Sequence, residues 1–284
     1  MKHAYLILAH KHPTQLIQMI SVLQSEKSYF YVHVDKKSGM LGFLQSMIEL
    51  PKNMFVCEKQ IGVNWGGFSM IQATVCLMEM LCDSSIQPDY VHLLSGQDFP
   101  LCSPQKIDEF FECREGENFI NHYTLPYENW GGNGGLDRVN YLWDVDGGKT
   151  DKAQLPTRTF PDGLQPYGGS QWWSLTGQCV KWLVSVCRPG CQLYDFARYT
   201  LIPDEMFFQT AIMHSQFSGS VVNDNLRYYN WTDGPEYPRI LTYEDWEMLI
   251  DSGKLFARKF DINKDAAILE KLFTYVKKYN SGNN

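Results

Sequence analysis

Three strand-length apolar segments each end abruptly in polar residues, and this repeated pattern constrains the fold more than any other feature of the sequence. The segments are Ala4–His10, Tyr29–Ser38 and Tyr90–Pro100, and the third passes from two leucines into Ser95-Gly96-Gln97-Asp98. In α/β proteins, ligands bind where buried parallel strands meet polar loops at their carboxyl ends. The pattern therefore predicts a ligand crevice along one edge of a sheet.

Segments with helical spacing alternate with these strands. A short strand is expected at 54–57, and helices are expected from Pro13, at 41–49, at 69–82 and from the cap pair Ser103-Pro104. Later helices are expected near 177–187, near 204–214, after a cap at Thr242–Asp245, and at 264–278. Alternating strands and helices predict an α/β fold, with a Rossmann-like, mostly parallel central sheet and helices on both faces.

Composition narrows the function. A chain of 284 residues with 44% hydrophobic and 20% charged residues is expected to form one domain. The net charge of −7 argues against a nucleic-acid partner, because phosphate backbones are bound by dense Lys and Arg surfaces. A phosphorylated small ligand would need a local cationic pocket. Aromatic residues make up 14% of the chain. Some of these rings could stack on sugars, although most are expected in the core.

Two further features concern the cellular compartment. The sequence contains no apolar stretch of the length of a signal peptide or a membrane span, which predicts a cytoplasmic location. The eight cysteines form no C-x-x-C pair and no Cys/His quartet with zinc spacing. We expect reduced and mostly buried thiols, with structural disulfides as the alternative.

The pattern of strands and helices is lost between residues 122 and 168, where glycine, aspartate and aromatic residues accumulate. The tract includes Trp130-Gly131-Gly132-Asn133-Gly134-Gly135. A structureless stretch of this length inside a compact domain is usually functional or mobile. We therefore expect an acceptor-side or lid region here.

Glu205 is the candidate general base. It lies in the segment from Leu201 to Thr210, near the start of a strongly apolar predicted helix. A Glu set among Met206, Phe207 and Phe208 would be partly desolvated, which favours proton abstraction. A carboxylate that stabilises the helix N-terminus is the alternative interpretation.

Cations also occur inside apolar segments. Arg239 precedes Ile240-Leu241, and the pair Arg258-Lys259 lies between Ala257 and Phe260. A charge in such surroundings is costly unless a carboxylate or another anion meets it. A structural ion pair is one explanation. If the partner is instead a bound anion, a diphosphate is the expected one.

Acidic strings do not support a metal site. Asp144-Val145-Asp146 has the D-x-D form but lies in the glycine-rich tract, and we interpret it as a solvated turn. The loop that starts at Asp261 resembles a calcium loop, but Ala266 and Leu272 replace the glycine and glutamate that an EF-hand requires. His10, His12, His33 and His92 are expected to be structural, apart from any part that His10 plays at the strand edge. No metal ligand set is expected.

Eight segments, in order along nearly the whole chain, resemble the core 2/I-branching β-1,6-N-acetylglucosaminyltransferases and their xylosyltransferase relatives. The segments are Ala4–His10, Tyr31–Asp35, Trp65–Ser69, Tyr90–Leu101, Gly169–Trp173, Pro203–Glu205, Arg239 and Leu255–Asp261. This resemblance implies a GT-A fold and inverting transfer of a sugar from a UDP donor without a divalent metal. The Ser95–Asp98 turn takes the place of the D-x-D motif of metal-dependent relatives.

The resemblance also assigns roles to individual residues. It implies Glu205 as the catalytic base, Arg239 and Lys259 as diphosphate ligands, and a loosely matched acceptor set of Trp172, Tyr228 and Trp231. The implied nucleotide-binding residues are His10, Asp35, Ser95, Gly96 and Asp98. Residues 1–121 would form the nucleotide-sugar half, 122–168 the acceptor or lid tract, and 169–284 the catalytic and acceptor half of a single domain.

The expected reaction moves N-acetylglucosamine, with xylose as the alternative, from a UDP-sugar to a glycan hydroxyl. The sequence lacks the membrane anchor, the secretory disulfides and the longer acceptor tract of animal relatives. We therefore expect a microbial, cytoplasmic enzyme, peripheral at the inner face of a membrane, with an oligosaccharide or glycolipid acceptor. The alternative is an inactive carbohydrate-binding protein on the same fold. A Rossmann oxidoreductase is excluded, because His10-Lys11-His12-Pro13 stands where G-x-G-x-x-G belongs.

Overall fold

The computed structural model describes residues 1–47, 50–232 and 237–281. Its twelve strands are β1 His3–Ala9, β2 Ser28–Val34, β3 Met54–Val56, β4 Tyr90–Ser95, β5 Asp98–Pro100, β6 Asn118–Ile120, β7 Tyr123–Thr124, β8 Tyr167–Gly168, β9 Trp173–Thr176, β10 Val221–Val222, β11 Arg227–Tyr228 and β12 Phe256–Arg258. Its ten α-helices are α1 Pro13–Leu23, α2 Met40–Ser46, α3 Ser69–Cys82, α4 Pro104–Glu112, α5 Leu136–Asn140, α6 Gly177–Val186, α7 Gln192–Ala197, α8 Phe207–Met213, α9 Trp246–Asp251 and α10 Ala266–Ser281.

A seven-stranded sheet in the order β10-β6-β9-β4-β1-β2-β3 forms the centre of the fold. The pairs β1/β2, β1/β4, β2/β3 and β6/β10 are parallel, whereas β9 runs antiparallel to both β4 and β6. The prediction of a mostly parallel α/β sheet is confirmed. The antiparallel strand β9 and the two smaller sheets, β11-β12-β5 and β7-β8, were not predicted.

Helices cover both faces of this sheet, as predicted. Along β1, Tyr5, Ile7 and Ala9 point into a core with α1, α2, α4, α9 and α10, while the alternate residues of the strand face α3, α6, α7 and α8. Burial on both faces explains why every residue of β1 is apolar except His3. The predicted helix 41–49 is shorter than expected in its described part, since α2 ends at Ser46, and residues 48 and 49 lie outside the described residues.

A buried guanidinium joins the small sheet to the large one. Arg227 of β11 is 2% exposed and donates to the carbonyl oxygens of Leu93 in β4 (3.0 Å) and Trp173 in β9 (2.8 Å). It also donates to the hydroxyl oxygen of Ser174 (2.8 Å). Because β11 pairs with β12, these bonds set the position of β12 against the carboxyl end of the central sheet.

A buried polar chain continues from Ser174 toward the amino terminus. His92 Nδ1 lies 2.8 Å from Ser174 Oγ, and His92 Nε2 lies 2.9 Å from His3 Nδ1. His3 Nε2 in turn lies 2.9 Å from Asp108 Oδ1. Hydrogen bonds therefore satisfy both strand histidines, in agreement with the structural role predicted for His92.

The thiols of all eight cysteines are free. Four of them are buried, among them Cys57 and Cys76, whose sulfur atoms lie 2.8 Å apart. Across the described ranges, no helix has both the length and the apolar character that a bilayer crossing requires.

Candidate active site

His10 and Asp35 lie side by side at the carboxyl edge of the sheet. The Asp35 amide donates to the Ala9 carbonyl oxygen (2.9 Å), which brings the ends of β1 and β2 together. The Asp35 carboxylate accepts from the backbone amides of Lys37 (2.9 Å) and Val63 (3.3 Å). Asp35 therefore ties the loop before α3 to the edge where the sequence predicted a nucleotide.

His10, Lys11, Arg258 and Lys259 form a cationic cluster at this edge. Burial lowers the pKa of His10, and the charges of Lys11 and Lys259 lower it further. Burial also lowers the pKa of Lys259, with Arg258 and Lys11 acting in the same direction. In the described part of the chain, no carboxylate lies within ion-pair distance of the Lys259 ammonium. Mutually repelling, partly buried cations are what an anion-binding site presents to its ligand.

The turn from Ser95 to Asp98 supports this cluster from below. Asp98 is fully buried, its Oδ2 accepts from the Ser95 amide (3.0 Å), and its Oδ1 lies 3.4 Å from Arg258 Nη1. Burial raises the pKa of Asp98, and the Arg258 guanidinium opposes that shift. Gly96 packs against Ala9, with its amide bonded to Leu8. The predicted nucleotide-binding trio of Ser95, Gly96 and Asp98 therefore lies in the frame that orients Arg258.

Trp172 is also part of this frame. Its side chain is 8% exposed, and the Arg258 guanidinium lies 4.1 Å from its ring centroid. With so little surface accessible and the guanidinium against the ring, Trp172 is not placed to stack on an acceptor sugar. We assign it to the support of Arg258 instead.

Arg239 lies near Lys259 but is already paired. The Leu241 amide donates to the Lys259 carbonyl oxygen (2.8 Å), so the two segments run side by side. The Arg239 guanidinium forms an ion pair with Asp245, which is fully buried and also accepts from the Thr242 amide (2.8 Å). Asp245 thus closes the predicted cap at Thr242 and fixes the direction of Arg239.

Glu205 lies on a single 3-10 turn, Pro203–Glu205, and not in the first turn of α8 as predicted. The turn begins after Ile202, whose φ of 51° is unusual for a β-branched residue and is typical of functional turns. The Ile202 amide donates to the Gly66 carbonyl oxygen, and the Gly169 amide donates to the Glu205 carbonyl oxygen, both at 2.9 Å. Backbone bonds on both sides therefore fix the position of Glu205.

The desolvated carboxyl group of this turn is that of Asp204. Asp204 is 5% exposed, whereas the Glu205 side chain is 33% exposed, so the expectation of a desolvated Glu205 is wrong. Burial raises the pKa of Asp204 to about 7, and the Glu205 charge adds to the shift. Glu205 itself is accessible to a ligand from the crevice.

Arg138 contacts Glu205 and was missed from the sequence. Its Nη1 atom lies 2.7 Å from Glu205 Oε2. Arg138 comes from α5, inside the glycine-rich tract. No local signal predicted this contact, because the two residues are 67 positions apart in the chain.

Contacts through the neighbouring segment link Glu205 to the cationic cluster. Gly169 binds the Glu205 carbonyl oxygen, and a Cβ atom on Gly169 would lie 1.8 Å from the Asn121 carbonyl oxygen. Three residues further on, Trp172 packs under Arg258. The base candidate and the cations therefore lie on adjoining segments of one region.

Exposed aromatic rings lie near these segments. Trp65 is 61% exposed, and its ring centroid lies 5.7 Å from that of Tyr237, which is 52% exposed. Trp231 is 50% exposed, and Tyr228 is partly buried with its hydroxyl 3.7 Å from Met248 Sδ. Tyr228 and Trp231 keep the surface that their predicted acceptor role needs. The sequence analysis did not single out Trp65 or Tyr237 as site residues.

The turn after Trp65 depends on a carboxylate from the D-x-D string. Asp146 accepts from the Ser69 amide (2.9 Å), the Ser69 hydroxyl (2.7 Å) and Asn64 Nδ2 (2.8 Å). A Cβ atom on Gly67 would lie 2.5 Å from Asp146 Oδ1, which explains the glycine at that position. Asp146 is exposed, as expected of a turn, but it also caps α3.

The structure offers no evident metal ligand set. Among the residues that it describes, no three His, Cys, Asp or Glu side chains are grouped so that they could hold a metal ion. Asp261 is held by Lys11 (2.6 Å) and His12 (3.1 Å). Although burial acts in the opposite direction, these hydrogen bonds lower the pKa of Asp261 to about 2.

The sheet topology and this edge define the class of protein. A mostly parallel sheet with helices on both faces, a cationic carboxyl edge and a carboxylate on the adjoining segment is a GT-A-type α/β fold. A family model described as Core-2/I-Branching enzyme matches residues 3–249, and the chain belongs to this family.

Individual relatives are more distant. The chain is similar to xylosyltransferase 2 of Rattus norvegicus, with 28% identity over 291 residues that cover 95% of this chain and 33% of the rat protein. It is similar to xylosyltransferase oxt of Drosophila melanogaster, with 27% identity over 282 residues that cover 91% of this chain and 31% of the fly protein. The chain thus spans about a third of the length of the curated relatives it matches.

One solved structure shares the extent of the chain. The galactosyltransferase LgtC, in complex with donor and acceptor sugar analogues, covers 96% of this chain and 95% of its own. The identity is 8% and the TM-score is 0.46.

Proposed function

We propose that the protein is an inverting glycosyltransferase that moves a sugar from a UDP donor to a glycan hydroxyl. The observation that carries this proposal is the cationic cluster of His10, Lys11, Arg258 and Lys259, which shares the carboxyl edge with Asp35. Such a cluster requires an anion. A nucleoside diphosphate supplies two phosphates for the cations and a base and ribose for the strand ends.

In this proposal the donor lies along the carboxyl edge. The uridine contacts His10 and Asp35, and the diphosphate contacts Lys259 and Arg239. Arg258 adds a third cation, oriented by Asp98. As the bond to the sugar breaks, negative charge grows on the diphosphate, and fixed cations stabilise it without reorganisation. They would do the work that a divalent metal does in other enzymes of this kind, so no metal is required.

Glu205 completes the reaction as general base. Its carboxylate takes the proton of the acceptor hydroxyl while the oxygen attacks the anomeric carbon opposite the departing UDP, so that the configuration inverts. A positioned base contributes about 10²- to 10⁴-fold to the rate. Asp204, which burial keeps partly protonated near neutral pH, is unsuited to this role, although it neighbours Glu205.

The sugar and the acceptor are narrower proposals. We favour N-acetylglucosamine as the transferred sugar, with xylose as the alternative suggested by the named relatives. Exposed rings at Trp65, Tyr237 and Trp231 suit the faces of a sugar chain, which supports an oligosaccharide or glycolipid acceptor. We place this reaction in the cytoplasm, at the inner face of a membrane.

Release of UDP from a panel of UDP-sugars in the presence of EDTA tests the proposal. The wild-type protein should release UDP from at least one donor, and Glu205→Gln should lower the rate by about 10²-fold or more. Lys259→Met should weaken donor binding, whereas Lys254→Met, which removes a nearby surface lysine paired with Asp224, should not. Turnover that requires an added divalent metal would contradict the role given to the cations.

The exposed rings also support a second candidate, a carbohydrate-binding protein without turnover. The pair of Trp65 and Tyr237 could bind a sugar by stacking alone. Calorimetric binding of oligosaccharides, together with no UDP release from any donor with or without metal, would favour this candidate.

A further inference from the structure

We propose that Arg138 is the positioning residue for Glu205, and that the glycine-rich tract exists to hold it there through Trp130. This inference rests on the proposed role of Glu205 as the base. It assigns a function to residues 130–138, which the sequence suggested only as part of a lid.

The two oxygens of the Glu205 carboxylate have different surroundings. Oε2 accepts from Arg138 Nη1 at 2.7 Å. Oε1 accepts no hydrogen bond from any residue that the structure describes, and the side chain is one third exposed. A carboxylate fixed at one oxygen presents the other in a defined direction. Arg138 therefore leaves Oε1 as the atom that meets an acceptor hydroxyl.

Arg138 is itself held from the opposite side. Its guanidinium carbon lies 3.8 Å from the ring centroid of Trp130. A guanidinium between an indole face and a carboxylate combines a cation–π contact with a charge-assisted hydrogen bond. The Arg138 side chain is 18% exposed, so water weakens both contacts only in part.

The glycines of the tract make room for Trp130. A Cβ atom on Gly135 would lie 2.6 Å from Trp130 Cε3, and one on Gly168 would lie 2.7 Å from two other atoms of the same ring. The edge of the ring also meets Tyr123, with 5.0 Å between the ring centroids. Close packing of this kind fixes the indole. The glycines here serve tight contact around one side chain, in contrast to the loose lid that their number suggested.

The backbone of Arg138 is tied to the same turn as Glu205. The Leu201 amide donates to the Arg138 carbonyl oxygen at 3.2 Å. The main chain and the side chain of Arg138 thus both contact the segment 201–205. The spacing between guanidinium and carboxylate is set by this double attachment, which a purely surface ion pair would not have.

The test compares Arg138→Ala with Arg158→Gln. Arg158 belongs to the same tract, stacks on Phe196 (3.6 Å) and donates three hydrogen bonds, none of them to Glu205. Arg138→Ala should lower kcat by about 10²-fold, since a misplaced catalytic group costs that much, while the donor KM changes by less than about threefold. Arg158→Gln should lower the melting temperature but leave kcat within about threefold of the wild-type value, the largest change expected of a residue remote from the base.

Chemical rescue separates positioning from folding. Guanidinium ions at about 50 mM, far below denaturing concentration, should restore about tenfold of the activity lost in Arg138→Ala, because they can occupy the vacated place beside Oε2. Arg138→Lys, which keeps a charge but lacks the planar fork, should retain intermediate activity and serves if the alanine variant does not fold. An unchanged kcat in Arg138→Ala, or a loss that neither guanidinium nor lysine relieves, would overturn the inference.

A parallel measurement on Glu205→Gln keeps the two proposals distinct. If Glu205→Gln keeps full turnover, the base assignment fails and the role of Arg138 fails with it. If Glu205→Gln is inactive while Arg138→Ala is fully active, only the positioning role is rejected.

Discussion

Acidification is expected to destabilise the fold through His92. This histidine is fully buried in β4, between His3 and Ser174, and the Arg227 guanidinium lies nearby. Burial lowers the pKa of His92 well below 6.5, and the positive charges of His3 and Arg227 act in the same direction. The native protein therefore keeps His92 neutral at pH values where an unfolded chain would bind a proton.

The sign and the size of the effect follow from proton linkage. Below pH 6.5 the unfolded state holds the extra proton, so the free energy of unfolding falls as the pH falls. Each pH unit over which native His92 stays neutral costs about 1.4 kcal/mol. Between about pH 6.5 and about pH 5 the loss should thus reach about 2 kcal/mol. Asp108, whose pKa is lowered by its bonds to His3 and the amino terminus against the effect of burial, loses its contribution only at more acidic pH, below 3.8.

Urea unfolding at several pH values, for the wild type and for His92→Gln, measures this term. Glutamine can keep the hydrogen bond to His3 but cannot take up a proton. Other histidines with lowered pKa, such as His33, contribute equally to both proteins, so the difference between the two slopes isolates His92. Identical slopes over this pH range would refute the reasoning, because they would mean that His92 binds its proton equally well in both states.

Three further predictions concern stability and reactivity. Mild oxidation with diamide should lower the free thiol count of the denatured protein from eight to six by joining Cys57 to Cys76, whose sulfur atoms are 2.8 Å apart, and Cys76→Ser should prevent the loss. Asp146→Ala should destabilise the protein by about 2 kcal/mol in chemical unfolding, since three hydrogen bonds to a charged group at the start of α3 are lost. Gly169→Ala should lower the melting temperature and abolish turnover, because its Cβ would lie 1.8 Å from a carbonyl oxygen, whereas Gly219→Ala, with open space around it, should be tolerated in both assays.

Local sequence signals predicted the elements of the first half closely. The helix expected at 69–82 is observed as Ser69–Cys82, and the cap pair Ser103-Pro104 starts α4 as expected. Both predictions rest on apolar spacing and on cap residues, which operate within a few positions of the chain. The cap at Thr242 is confirmed for the same reason.

Features that depend on distant contacts were not predictable in this way. The direction of β9 is set by its pairing with β4 and β6, and an apolar strand segment has no local mark of direction. The burial of Trp172 depends on Arg258, and the burial of Asp204, in place of its neighbour Glu205, depends on packing around a 3-10 turn. The roles of Glu205, Arg239 and Lys259 remain predictions that the kinetic tests above address.

Arg227 limits which parts of the protein can move during a catalytic cycle. Since its guanidinium joins β11 to the carbonyl oxygens of β4 and β9, the strand that carries Arg258 cannot shift alone without breaking buried bonds. Adjustment to a bound sugar must then come from the surface rings, Trp65 above all, while the cations stay where the central sheet has put them. Ligand binding would on this basis leave hydrogen exchange in β11 and β12 almost unchanged and slow it in the loop before α3.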